Sequence, residues 1–136
     1  MEATMELFKH PFYTFIYDPR RRIITFKWTT ETEKMQVYDY QEAIHNFAGF
    51  AFDNPAKGLL VDLRDFRYQP PTSLGNWRDD VVSPRYVKAG VKKFAYLAPP
   101  GLLEKMQGAA DEYKQKRGFE EGYFGSEDGA LRWLDS

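Results

Sequence analysis

Asp62 and Arg64 stand two residues apart at the end of the apolar run Gly58–Leu63. On a β-strand that spacing puts both side chains on one face. A carboxylate and a guanidinium placed there could present a polar pair to a ligand or partner, because ligands of open α/β sheets gather at the carboxyl ends of the strands. Structural ion pairs are also common at sheet edges, and Arg64 tied to Asp62, Asp65 or a helix end is the plainer reading. Further on, Pro70 and Pro71 lead into Thr72 and Ser73, a hydroxyl pair ahead of Gly75 and Trp77. A phosphate on either hydroxyl would meet the positive end of a helix and its free amides. An unmodified hydroxyl there is also what any helix start prefers, stabilising it by about 1 kcal/mol as a cap. The expectation is a cap.

Other reactive groups are sparse. There are two histidines, His10 before the first expected strand and His45 beside an apolar helical stripe. Neither has the partner spacing of a metal site. No nucleophile elbow, phosphate-binding glycine loop or dinucleotide fingerprint occurs. An enzyme built on Asp62, Arg64 and Ser73 would need a base that the sequence does not supply. The chain therefore reads as non-enzymatic, with no cofactor or metal. Cysteine is absent, which removes disulfides, thiol catalysis and thiolate ligation. Arg20, Arg21 and Arg22 could grip a phosphate, but without a glycine-rich loop they read as a solvated turn.

The 136 residues suit one domain, expected over 1–136. The 19 basic and 20 acidic residues leave a net charge of −1, which argues against nucleic acid as a partner. No apolar run approaches the roughly 20 residues of a membrane span. The opening "MEATMELFKH" lacks the form of a signal peptide, so the expected location is cytoplasmic. Aromatic residues make up 17% of the chain, heavy for its size, and suggest a core or pocket built on ring packing.

Residues 12–17 and 23–28 are rich in β-branched and aromatic side chains, and the Asp18-Pro19 turn between them predicts an antiparallel hairpin. Thr30 and Glu33 have capping-box spacing. Val37, Tyr40, Ile44, Phe47 and Ala51 then mark one face of a helix over about 33–52, with Tyr38, Phe50 and Phe52 off that stripe. The runs 58–63 and 92–98 read as strands buried on both faces. Leu74, Trp77 and Val81 predict a short helix ended by Pro84, with a further turn from Ser83 to Gly90. Trp77 fits that stripe and reads as core, whereas Tyr68 on the preceding loop is the better candidate for an exposed aromatic.

Leu103, Met106, Ala110 and Tyr113 mark another helix, with Lys114, Lys116 and Arg117 in its last turn and Gly118 as C-cap. A strand near 119–124 and a final helix capped by Ser126 close the chain. The order ββαβαβαβα predicts an α/β fold with a mixed sheet of about five strands and four helices, its later strands parallel.

Several segments carry a resemblance. They are the strand end Leu60-Val61-Asp62-Leu63-Arg64, Trp77 in the next helix, Gly90-Val91-Lys92-Lys93-Phe94-Ala95, and the ending from Tyr123 to Leu134. From about residue 11 onward the chain resembles the STAS family of anti-sigma-factor-antagonist-like bacterial domains, in its stand-alone single-domain branch. The resemblance implies a mixed sheet with helices and a non-enzymatic role. In the regulatory branch, a Ser at the start of the helix after the third strand is phosphorylated within an Asp-Ser-x-Gly pattern. Here Ser73-Leu74-Gly75 fits Ser-x-Gly, and Thr72 stands in place of Asp.

Two functions follow. One is a STAS-like regulatory domain acting through a protein partner or a homodimer, with contacts around Asp62, Arg64, Tyr68, Thr72, Ser73 and Trp77. The other is a small-molecule or lipid-binding module, since the fold also resembles lipid-transfer domains of the CRAL-TRIO type. Its pocket would be lined by Tyr38, Tyr40, Phe47, Phe50 and Trp77.

Overall fold

In a computed structural model, residues 4–112 and 118–136 are described. Six strands lie in chain order across one sheet: β1 (Met5–His10), β2 (Tyr13–Asp18), β3 (Ile23–Trp28), β4 (Gly58–Asp62), β5 (Lys93–Leu97) and β6 (Glu120–Phe124). β1, β2 and β3 pair antiparallel, and β3 to β6 run parallel. The expected hairpin and the expected parallel centre are both present. The expected five strands become six, because β1 escapes a period-two reading. A bulge between Glu6 and Phe8 breaks the alternation, so apolar Leu7 and Phe8 are adjacent. His10 accordingly lies on this strand and not before it, stacked on Tyr13 at 4.7 Å.

The hairpin turn is built as its residues suggest. Asp18 Oδ1 accepts the backbone N–H groups of Arg20 and Arg21, and Arg22 takes a left-handed φ of 59°. Thr30–Lys34 forms a 3₁₀ turn whose cap is Thr29, not Thr30. Helix α1 (Val37–Asp53) therefore starts later than the Thr-x-x-Glu spacing suggests, with Asp39 Oδ2 accepting the N–H of Gln36 at 2.8 Å.

The crossover from β4 to β5 is one helical run in three parts: α2 (Leu74–Trp77), a π turn (Arg78–Val82) and α3 (Ser83–Lys88). Pro84 was expected to end the first helix. It sits instead in the first turn of α3, directly after the π turn. Helix α4 (Pro100–Glu112) links β5 to β6, and α5 (Glu127–Asp135) follows β6. Tyr113, Lys114, Lys116 and Arg117 lie outside the described residues. Gly118 has the positive φ, 92°, that a C-cap glycine needs. Ser126 Oγ accepts the N–H of Gly129 at 3.2 Å, as expected of the last cap.

Strand order without reversal puts right-handed crossovers on the same side of the sheet. One face carries the larger core, with Phe15, Phe26, Trp28 and Phe94 packed under α1, which contributes Phe47, and under α3. The other face carries a smaller core of Ile23, Leu60, Ala95 and Leu97, closed by Ala130 and Leu134 of α5. Among the described residues, no helix is long and apolar enough to cross a membrane.

Candidate functional site

Side chains alternate across each strand, and the parallel register lines them up between strands. Phe26 pairs with Val61, Val61 with Tyr96, and Tyr96 with Tyr123. Val61, Tyr96 and Tyr123 of this row line a half-open cleft of about 1130 Å³ on the larger-core face, with Phe26 packed beneath them. Tyr40 and Phe47 of α1, the loop after β4, the α2–α3 run and α4 wall it. The cavity thus opens where the chain leaves the carboxyl end of β4, the edge at which α/β sheets hold ligands. Its volume lies just above the range of roughly 300–1,000 Å³ usual for ligand pockets, because it is open to solvent on one side.

The polar lining of the cavity includes five tyrosines, the cations Arg67, Arg78 and Lys105, and the carboxylates Asp79 and Glu121. Arg78, the first residue of the π turn, donates from Nη1 to the Tyr40 hydroxyl at 3.3 Å. Burial works against the charge of Arg78, but Tyr40, Tyr96 and Asp79 offset it, and the net shift is upward. Burial pushes the Tyr40 hydroxyl up, and the nearby Arg78 pulls against it. Burial likewise pushes Tyr86 and Tyr96 upward, with a further push on Tyr96 from Glu121. All three phenols are therefore neutral donors at physiological pH. The Tyr96 hydroxyl donates to Glu121 Oε2 at 3.5 Å and its ring stacks on Tyr123 at 5.4 Å.

The residues singled out in the sequence divide into separate places. Tyr68, Thr72 and Ser73 line the cavity with Tyr40 and Phe47. Tyr68 is half-buried against Tyr40, with ring centroids 5.8 Å apart, and is less exposed than its loop position suggests. Ser73 is not the side-chain cap expected of it: it already has helical dihedrals (φ −60°, ψ −20°) and makes no capping bond. The amides of Leu74 and Gly75 instead bond to the carbonyls of Pro71 and Thr72. The proline pair curls the chain into its first turn, so the hydroxyls of Thr72 and Ser73 stay exposed on the rim.

Asp62 and Arg64 are elsewhere. Val61 faces the cavity, so its neighbour Asp62 points to the α5 face. There Asp62 Oδ1 accepts Arg64 Nε at 3.0 Å and Oδ2 accepts Arg64 Nη2 at 2.8 Å. The backbone N–H of Arg64 adds a third bond to Oδ1, and Glu127 on α5 stands 3.4 Å from Nη2. This is an ion pair that pins the β4 exit to α5. With Ser73 on the other face, Asp62, Arg64 and Ser73 do not form one catalytic group.

Three of the expected pocket residues also fall outside it. Tyr38 is 67% exposed on the far side of α1. Phe50 packs on Phe8 and Phe15 beneath β1 and β2. Trp77 packs on the main core and meets His45 edge-on at 5.2 Å. His45 in turn takes a 3.0 Å contact from Arg85, which can only donate, so its Nδ1 is the acceptor. Sequence reasoning missed Arg78, Tyr86, Tyr96, Glu121 and Tyr123. For Tyr96, Glu121 and Tyr123 the available signal was period-two spacing, which puts Tyr96 on the face of Phe94 and Tyr123 on the face of Glu121. No family model, curated protein or solved structure matches the chain significantly.

Proposed function

We propose that the chain is a non-enzymatic binding module that takes a small, largely apolar molecule into the cavity over β4, β5 and β6. The cavity of about 1130 Å³ carries this reading, because aromatic and aliphatic side chains such as Val61, Phe66, Tyr96 and Tyr123 line it alongside the polar groups at its rim. Native mass spectrometry of protein isolated gently from cells should show a bound small-molecule adduct that denaturing conditions release. An unmodified apo mass, in protein that also fails to take up apolar dyes, would sink the idea.

A regulatory role through a protein partner, as in STAS-like domains, is the second reading. The free rim position of Thr72 and Ser73 favours it, since neither hydroxyl is committed to capping. Phosphorylation should then be lost in a Thr72→Ala/Ser73→Ala double variant, along with capture of the partner. Unchanged capture by that variant would remove the rim from the interface.

A further inference from the structure

Strand β1 (Met5–His10) is one edge of the sheet, paired with β2 on one side only. An open edge presents a row of unpaired backbone donors and acceptors, a template for another strand. The bulge decides which side chains of this strand share a face. Met5, Phe8 and His10 stand opposite Tyr17, Phe15 and Tyr13, and Leu7 joins Phe8 against the larger core. Glu6 and Lys9 stand opposite Ile16 and Thr14, on the other face. Both are exposed, and among the described residues neither makes an ion pair. Charges on an edge strand commonly deter pairing. These two are opposite in sign and symmetrically placed about the bulge, so they complement a reversed copy of themselves. The other edge, β6, has Glu120 and Glu121 and no cation with which to do the same.

We propose that β1 pairs antiparallel with β1 of a second copy of this chain, so that one sheet runs through both copies across a two-fold axis. The axis passes between Leu7 and Phe8. Glu6 of each copy then faces Lys9 of the other, Leu7 faces Phe8, and Met5 faces His10. Residues opposite each other in an antiparallel pair lie on the same face, and the bulge is what lets all three pairs do so. In an unbroken strand Glu6 and Lys9 would point to opposite faces. The extra residue occurs at the same place in both strands, so the register holds on either side of it. Two ion pairs form on one face. On the other, Leu7, Phe8 and Met5, the last 48% exposed, continue the larger core into the second copy. The proposal stands apart from ligand binding, because the cleft lies over β4, β5 and β6, away from this edge.

Sedimentation equilibrium of the full chain, at concentrations up to about 1 mM, tests the proposal. The parent protein should form dimers that dissociate on dilution. Glu6→Lys and Lys9→Glu each set like charges opposite one another at both ends of the pairing, and each should weaken self-association about tenfold or more. Mixed in equal amounts, the two variants should form a heterodimer about as tight as the parent dimer, because opposite charges face each other again. That recovery also shows that both variants are folded, and circular dichroism of the dilute monomers should match the parent. A parent protein that stays monomeric at every concentration overturns the proposal. A dimer whose affinity neither charge reversal changes places the interface elsewhere and overturns it too. So does a mixture of the two variants that recovers no affinity.

Discussion

Tyr40, Tyr86 and Tyr96 hold their protons more tightly in the folded protein than a free phenol does, chiefly because burial disfavours the phenolate. The free phenol ionises near pH 10. Above that pH the unfolded chain loses protons that the folded chain retains, so stability is full below pH 10 and falls as pH rises through the folded values. Each such phenol contributes a slope of up to about 1.4 kcal/mol per pH unit in that window. Denaturant midpoints between pH 9 and 11 should show the decline, and Tyr86→Phe should make it shallower. If all nine tyrosines of the native protein ionised together near pH 10, the burial argument would be wrong. On the opposite face, Asp62 accepts three bonds from Arg64 while only 7% of its side chain is exposed. Asp62→Asn should cost about 1–2 kcal/mol in urea unfolding, with ligand uptake by the cavity unchanged. A loss of uptake in that variant would put Asp62 back at the site.

Helix α5 is the only described helix over the smaller core, and its hold on the sheet is narrow. Ala130 and Leu134 close that core against Ile23, Leu60 and Leu97, and Leu134 is 2% exposed. Gly122 permits the fit on β6, since a Cβ there would stand 2.7 Å from the Phe124 ring and 3.1 Å from Trp133. Lys93 ties the helix end by donating to the Trp133 and Ser136 carbonyls, each at 2.9 Å. Leu134→Ala should destabilise the protein by about 3 kcal/mol, measured by equilibrium denaturation. Hydrogen exchange should show the amides of α5 losing protection before those of β4. Uniform loss of protection would mean that α5 does not open separately. The crossover opposite obeys another logic, in which the π turn places Arg78 within 3.3 Å of the Tyr40 hydroxyl.

At the scale of the whole molecule, the two faces of one sheet have separate tasks. One is sealed by α5, and the other is left partly open between the α2–α3 run and α4. Val61, 6% exposed in the middle of the floor, tests this division. Val61→Phe enlarges a side chain that belongs to the larger core and borders the cavity, so the fold should lose about 1–3 kcal/mol. Uptake of a neutral naphthylamine dye should fall about tenfold. In the parent protein the same dye, at a hundred times its Kd, should add about 2.7 kcal/mol to stability. Equal uptake by the variant would show that the dye binds elsewhere.

Period-two and helical patterns along the chain were enough to locate β2 to β6, the three long helices and the parallel centre, because burial on a sheet or helix leaves a local mark at each residue. The same locality failed at β1, where one bulged residue erased the alternation. It failed again at Ser73, where a backbone turn did the work assigned to a side chain. The cavity was beyond its reach. Tyr40, Arg78, Tyr96 and Glu121 come from four elements spread over more than eighty residues, and they meet only through strand register and crossover handedness. Which face a residue such as Asp62 serves turns on a single step of alternation, and that step is settled by the packing of helices on both sides of the sheet.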